Sequence, residues 1–535
     1  MIKNGYNNSI VKKLSARKKK WIERTVASDR SYKVYLYNRL FLFMLAVLAQ
    51  LMGYALILLL IVYDSAYAFI LQGVVSVLAI AFVLSIISGR QRPSIKLGWV
   101  VLILIAPVFG VPTYLVNGRG RPTKRMRKKM DLAKLQNGAL AKNECFMPRT
   151  RADSVCQYIQ NYAGYPVFLD GGVAYYASGR DAFADMISAL KSAEKFILLE
   201  YFIIANGKMW NEIRKILLEK ANCGVKVYII YDDFGCMVTL PPKYDEYLES
   251  LHENIRCMSF NQVVPLFAVR MNNRDHRKIL VVDGKTAFTG GINLADEYIG
   301  EKQRFGHWKD SALKITGAPV GSFTQAFAYM WNAFRSDKIS VNDLLQPVEA
   351  CEDTGVRIQP YDDSPLDNIS VGETVYADMI NRAKDSVYIF TPYLVLDDFL
   401  RESLCLAAMR GVDVRIVVPA VPDKKTTYRL TRANFEMLMN AGVKIYEYTP
   451  GFIHAKSLLC DSQSAVVGTI NLDYRSLYLH FENAVYFSGV SAIEDLKRDY
   501  EQTFAQSKLC TKETVKRSVV GRFIDSILRV FESMF

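Results

Sequence analysis

A polar signature recurs at fixed spacing in two halves of this 535-residue chain. His276, Lys278, Asp283, Gly290 and Asn293 stand at offsets 0, 2, 7, 14 and 17, and His454, Lys456, Asp461, Gly468 and Asn471 repeat those offsets. Gly291 and Thr469 both occupy offset 15. A lone H-x-K arises often by chance, but two copies with five matched positions argue an internal duplication. The flanking text agrees. Residues 195–204 read as a strand, 210–222 as a helix and 225–231 as a second strand, and 386–390, 399–409 and 412–419 repeat that order. Such alternation predicts an α/β fold with a largely parallel or mixed sheet in each half.

Strand geometry suggests why these residues are spaced so. HRKILVVD and HAKSLLCD each read as the start of a strand, whose side chains at i and i+2 share a face, so His and Lys should project together. Asp283-Gly284 and Asp461-Ser462 read as hairpin turns, after which a returning strand brings Asn293 or Asn471 back beside its own His. Each half then presents an imidazole, an ammonium and a carboxamide, with no cysteine or carboxylate cluster to hold a metal. Neither metal nor cofactor is expected. Cations and hydrogen-bond donors of this kind suit attack on a phosphodiester: two Lys and two Asn, with Gly291 and Thr469 beside them, would bind phosphoryl oxygens, while one His attacks and the other protonates the leaving alkoxide. Each half carries half of that equipment, which implies one site per chain. Asp283 and Asp461 complete the motif, yet they lie on the opposite strand parity from their histidines and read as turn or supporting groups.

The amino-terminal quarter has a different character. Residues 1–129 hold 21 Lys and Arg against three acids, whereas the remainder holds 46 against 50. The basic surplus therefore does not belong to the α/β region, which argues against a nucleic-acid partner. Residues 40–63 and 66–87 are uncharged apolar runs long enough to span the ~30 Å core of a bilayer. Eleven Lys and Arg precede the first run and none lies in the turn between them, so both ends of the hairpin should face the cytoplasm. A third apolar run, 97–116, is interrupted by Pro107, Gly110 and Pro112 and followed by seven basic residues. A re-entrant or interfacial path suits it better than a third crossing, with the basic cluster on anionic headgroups. The nine cysteines are odd in number and lack any C-x-x-C, so no disulfide framework or zinc knuckle is suggested. The expected divisions are a basic segment 1–39, an anchor 40–130, α/β domains 131–345 and 346–510, and an amphipathic helix 511–535. That helix should pack on the catalytic body, with the bilayer as its other possible seat.

The paired H-x-K-x4-D motifs resemble the phospholipase D superfamily, and the wider pattern resembles the bacterial cardiolipin synthases. Supporting stretches are Trp99, Pro107 and Gly110, Glu200-Tyr201, NNRDHRK, GGINLADEY, Trp308-Lys309-Asp310, GTINLDYRS and Phe481-Glu482. The resemblance implies transmembrane helices followed by two duplicated phospholipase D-like α/β sandwich domains sharing one active site. It also implies a multi-pass cell-membrane enzyme whose catalytic domains face the cytoplasm. A phosphatidyl group would pass from one phosphatidylglycerol to another through a phosphatidyl-histidine, giving cardiolipin and glycerol. The catalytic set would be His276, Lys278, Asp283, His454, Lys456 and Asp461, with His276 as nucleophile and His454 as acid and base. A carboxylate behind each His is implied too: Glu482 for His454 and Asp310 for His276. His480 stands where relatives commonly have Asn. The rival readings are a membrane-bound phospholipase D-type hydrolase or another phosphatidyltransferase, which would use the same residues. A superfamily nuclease fits poorly with the acidic catalytic region, and a scaffold with a decayed site fits poorly with two complete motifs.

Overall fold

The computed structural model describes residues 65–89, 92–118, 124–137, 153–262, 272–346, 352–366 and 369–534, with isolated positions between 44 and 62. The segment 1–39 and, apart from those positions, the run 40–63 lie outside the described residues. Helix α1 (Ser65–Ile87) covers the second apolar run. Its side chains are described from Gly73 onward, a stretch of about 22 Å at ~1.5 Å per residue. Among the described residues no helix is long and apolar enough to cross a membrane.

The third apolar run is not one helix. It breaks into α2 (Pro93–Ile105) and α3 (Pro107–Thr113), with Ala106 in a non-helical conformation (φ −138°, ψ 71°) where Pro107 disfavours helix in the residue before it. A Cβ on Gly110 would lie 2.7 Å from the Ile103 α-carbon, so the close contact between α2 and α3 requires glycine there. Ala79, Val83 and Ile86 of α1 pack with Trp99 and Ile103 of α2 in a small core of their own. The basic helix α4 (Lys124–Asn137) turns Met130 and Ala133 into the core of the catalytic body, and its Lys129 ammonium lies 5.4 Å from the centre of the Phe334 ring. This part of the expected headgroup-facing cluster thus covers protein.

The first half contains β1 (Gly172–Tyr176), α5 (Gly179–Ser192), β2 (Phe196–Tyr201), α6 (Lys208–Asn222), β3 (Lys226–Asp232), β4 (Ile255–Phe260), β5 (Lys278–Val282), β6 (Thr286–Gly290), β7 (His307–Lys309), β8 (Ala312–Thr316) and α7 (Val320–Phe334). Its seven-stranded sheet runs β1-β8-β6-β5-β2-β3-β4. The second half contains β9 (Arg357–Asp363), α8 (Val371–Arg382), β10 (Ser386–Phe390), α9 (Asp398–Met409), β11 (Asp413–Pro419), β12 (Lys444–Tyr448), β13 (Gly451–Ile453), β14 (Ser457–Cys460), β15 (Ser464–Gly468), α10 (Tyr474–Tyr478), β16 (Glu482–Ser488), α11 (Ala492–Ala505), β17 (Ser507–Leu509) and α12 (Val519–Val530). Its order, β9-β16-β15-β14-β10-β11-β12-β17, is that of the first sheet with one strand added. In both, the strands joined by crossover helices are parallel and the rest antiparallel, so the sheets are mixed and the duplication is one of topology as well as motif.

Each half has a core of its own, and a third core joins the two. Phe196, Leu198 and Ile279 of the first sheet share one core cluster with Phe390, Val417 and Leu459 of the second. Helix α7 runs through it, buried from Val320 to Ala333. Burying a strongly apolar helix on all sides is the hydrophobic basis of the union.

The turns expected after the two motifs are present. Asp283 and Gly284 have φ of 53° and 65°, and Asp461 and Ser462 both have 52°. Two successive left-handed residues match a type I′ hairpin, in which Gly or Asn is favoured at the second position. Ser462 bears strain that Gly284 avoids. Ser462→Gly should therefore stabilise the chain by about 0.5–1 kcal/mol, measured as a rise in the denaturant midpoint; an unchanged or lower midpoint would contradict it.

Candidate active site

The two histidines lie outside the strands that follow them. β5 begins at Lys278 and Ser457 opens β14, so His276 and His454 are held instead by backbone contacts from the opposite half. The His276 N–H donates to the Phe481 carbonyl at 2.9 Å, and the His454 N–H to the Lys309 carbonyl at 2.7 Å. Strands β7 and β13 extend the second contact as a parallel pair, Ile453 opposite Lys309, and Asp275 bridges Phe481 at the first. Each motif is thus pinned to the segment after the other motif.

That exchange decides the carboxylates, and it reverses the expected pairing. The His276 Nδ1 lies 2.8 and 2.9 Å from the Glu482 oxygens, and the His454 Nδ1 lies 2.7 Å from Asp310 Oδ2. Glu482 thus serves the first-half His and Asp310 the second-half His. With Nδ1–H donating to a carboxylate, Nε2 is left as the reactive nitrogen of both rings.

The supporting residues fall into place around these pairs. The Thr469 hydroxyl donates to Glu482 Oε2, and the Ser476 hydroxyl to Oε1 at 2.6 Å. A Cβ on Gly291 would stand 2.7 Å from the Asp310 carboxyl carbon. Thr469 and Gly291, expected to bind phosphate, instead support the two carboxylates, by hydrogen bond and by leaving space. Asn293 faces protein as well: its Oδ1 accepts from the Ile203 N–H at 3.1 Å, and its Nδ2 donates to the Tyr298 hydroxyl at 2.7 Å. The Asn471 Oδ1 is buried and has no hydrogen-bond partner among the described residues, so of these four it is the one whose carbonyl remains available to a ligand. Asp283 and Asp461, which complete the motif, do not touch the histidines. Asp283 accepts from the N–H groups of Glu194, Lys195 and Phe196 at 2.7–2.8 Å, and Asp461 from those of Lys384, Asp385 and Ser386. They brace the entries to β2 and β10.

Lys278 and Lys456 are almost fully buried, and each ammonium donates to the carbonyl of its own His, Lys278 at 2.6 Å. Burial pushes Lys278 down to about 7, with Glu482 opposing and the nearby Lys456 adding to the fall. Burial also pushes Lys456 down to about 8 against the pull of Asp310 and Glu482. Both imidazoles are held toward the neutral form by burial, with the lysines contributing: His276 at about 3 and His454 at about 4. Burial would raise Glu482 and Asp310, but the imidazole and ammonium groups beside them outweigh it and keep both carboxyls ionised. Each His meets a carboxylate of the opposite half, and Lys456 lowers Lys278 while Lys278 lowers His454, as expected where both motifs meet at one junction.

Some neighbours carried no role in the sequence reading. Phe202 stands edge-on to His276, with ring centres 5.0 Å apart, while Tyr298 and Trp308 flank His454 at 5.5 and 5.6 Å. NNRDHRK supplied a partial signal for the ion lattice behind the site: Arg277 is buried, 2.5 Å from Glu200 and 3.2 Å from Asp275. A lattice of this kind adds little stability but fixes where its members sit. His480 lies beside the His276–Glu482 pair, its ring centre 5.7 Å from that of His276 and its Nδ1 3.7 Å from Glu482. Each of His276, His480 and Glu482 offers a ligand atom, all within 4.8 Å of one another. A cation there would compete with the His276, Thr469 and Ser476 donors already on Glu482.

Residues 186–331 and 376–506 match the family described as "Cardiolipin synthase, PLD-like domain", and residues 77–119 match "Phospholipase_D-nuclease N-terminal". The chain is 31% identical over 467 residues to a protein named cardiolipin synthase from Geobacillus kaustophilus, covering 86% of this chain and 92% of that one. It is 33% identical over 466 residues to the cardiolipin synthase of Staphylococcus aureus strain Mu50, covering 84% and 93%. An uncharacterized protein of Streptococcus mutans is 46% identical over 371 residues, covering 69% and 80%. Among solved structures, a phosphatidylserine synthase from Haemophilus influenzae superposes with a TM-score of 0.54 at 14% identity, covering 72% of this chain and all of that one; this likeness speaks to the fold. Two equivalent sheets, a single site at their junction and matches across most of the sequence together mean that the chain belongs to the cardiolipin synthase family of the phospholipase D superfamily.

Proposed function

We infer that the chain is a phosphatidyltransferase that makes cardiolipin from two phosphatidylglycerol molecules, releasing glycerol. The observation that carries this reading is the pair of buried histidines, each with Nδ1 on a carboxylate of the opposite half. In the first step the His276 Nε2 attacks phosphorus and the glycerol oxygen leaves with a proton from His454. In the second, neutral His454 takes the proton of an acceptor hydroxyl, which displaces His276. Burial holds both imidazoles toward the neutral form, so either ring has a free Nε2, and the choice of His276 as nucleophile rests on the family resemblance. An anionic phosphodiester bound between the rings would raise the proton affinity of both, so the acid form of His454 would arise with substrate in place. The lysines and the NH₂ of Asn471 would stabilise charge on the phosphoryl oxygens, while the Asn471 Oδ1 could only accept, as from a substrate hydroxyl.

In this reading the amino-terminal apolar runs embed the protein in the cell membrane with the catalytic domains on the cytoplasmic side, and phosphatidylglycerol reaches the site from that leaflet. The support is the asymmetry of basic residues around the runs. Incubating purified protein with radiolabelled phosphatidylglycerol should yield cardiolipin and free glycerol in equal amounts. Phosphatidic acid and glycerol without a four-chain product would identify the hydrolase instead.

The lysines set the pH dependence. A Lys whose pKa is lowered is charged below that value and loses its charge above it. With Lys278 at about 7 and Lys456 at about 8, kcat/KM for phosphatidylglycerol should fall as pH rises through 7–8. The slope should approach a tenfold loss per pH unit for each ammonium required. A pH–rate profile flat to about pH 10, near the ordinary range of Lys, would rule out this role for the lowered ammonium groups.

A further inference from the structure

Helix α12 is amphipathic, as the sequence indicates, but it packs on the protein by its polar side. Asp525 is buried, 2.6 Å from the Arg429 Nε and 3.1 Å from the Arg517 Nη1. Arg429 also donates to the Gly521 carbonyl at 3.1 Å, and Arg529 to the carbonyl of Ala433. The apolar side faces outward: Val519, Val520 and Phe523 are 74%, 69% and 67% exposed. A helix seated only for stability would turn these residues inward. Scattered exposed apolar residues need no explanation, but a contiguous face of them marks a surface meant to be covered.

Two neighbouring features indicate what covers it. A groove of about 570 Å³ beneath the helix is lined by Arg432, Arg517, Arg522 and Arg529 against two acids, Glu436 and Asp525. On its other side α12 meets the apolar amino-terminal helices, since Leu528 and Ile95 of α2 pack on the same small cluster. A second copy of the chain would bring the like-charged rims together, which is unfavourable, whereas anionic headgroups complement them.

Resting on the membrane reading above, we propose that α12 is a bilayer-docking helix. Its apolar face enters the boundary between headgroups and acyl chains, and the arginine groove takes the phosphate of an anionic phospholipid away from the catalytic histidines. Docking there would hold domain 2 against the leaflet alongside the amino-terminal helices.

The test uses the full chain reconstituted in vesicles of phosphatidylglycerol and phosphatidylcholine, with Phe523→p-benzoylphenylalanine as the photocrosslinker and Glu219→p-benzoylphenylalanine, on exposed α6, as the control. Irradiation should give lipid adducts at position 523 at least about fivefold above those at position 219. The excess should shrink in phosphatidylcholine alone and in an Arg522→Gln background, which removes a groove arginine. Adducts to a second copy or to another part of the same chain, or equal lipid labelling at both positions, would overturn the proposal. A Phe523→Asp, Ile527→Asp variant adds a functional readout. It should lose about tenfold in transfer from vesicle-borne lipid while retaining transfer from dispersed short-chain phosphatidylglycerol; equal rates on both would also overturn it. Should wild-type protein form no cardiolipin, the transferase reading fails, whereas the adduct pattern still decides the docking.

Discussion

His276→Ala is expected to lose cardiolipin formation and the covalent intermediate together, with turnover falling by about 10⁵-fold or more, because the attacking nitrogen is gone. His454→Ala should behave differently. The nucleophile remains, so the intermediate forms slowly, but the acceptor hydroxyl lacks its base and turnover falls by about 10²–10⁴-fold. Labelled phosphatidylglycerol should therefore leave an acid-labile phosphohistidine on the His454→Ala protein and none on the His276→Ala protein. Label on the second and not on the first would exchange the two roles. Label on neither, with both proteins folded, would reject the covalent route.

The carboxylates give the second large effect, and its direction tests the crossed architecture. Glu482→Ala removes the partner of His276, which lies 206 residues earlier, and Asp310→Ala removes that of His454, 144 residues later. Loss of an orienting carboxylate frees the ring to turn and to take the other tautomer, at a cost of about 10³–10⁴ in kcat. Glu482→Ala should slow formation of the intermediate, whereas Asp310→Ala should slow its formation less than its breakdown and so let it accumulate. Single-turnover measurements separate the two steps. The opposite assignment would restore pairing within each half, as the motif order alone suggests.

Much of this was legible in the residues. The offsets shared by His276 and His454 signalled the duplication, and the sheet orders repeat it apart from the added β17. The left-handed turns at Asp283 and Asp461 were legible too, because Asp-Gly and Asp-Ser after an apolar strand encode local chemistry. What could not be read was anything fixed by how the halves meet. Pairing of His276 with Glu482 depends on backbone bonds between residues 276 and 481, and no periodicity within either half records them. The supporting roles of Thr469 and Gly291 stayed hidden for the same reason, since each is defined by a carboxylate that packing brings near. Helix α12 illustrates another limit. Its apolar spacing was evident, but which side faces the protein was settled by Arg429, far from it in sequence, pairing with Asp525. The break at Ala106, by contrast, was announced by Pro107.

The exchange of carboxylates bears on how the protein is made. As the chain leaves the ribosome, the first motif is complete once β6 has been synthesised, yet His276 still lacks the group that orients it. Glu482 comes 206 residues later, and the segments that pin the two motifs to each other become available only then. A nascent or truncated chain, with its amino-terminal apolar runs already released, would thus carry a histidine and a lysine with no means of aligning them on a phosphate. On the membrane reading proposed above, surrounding lipid would be spared from unfinished protein, since competence would arrive only when both halves have closed on each other.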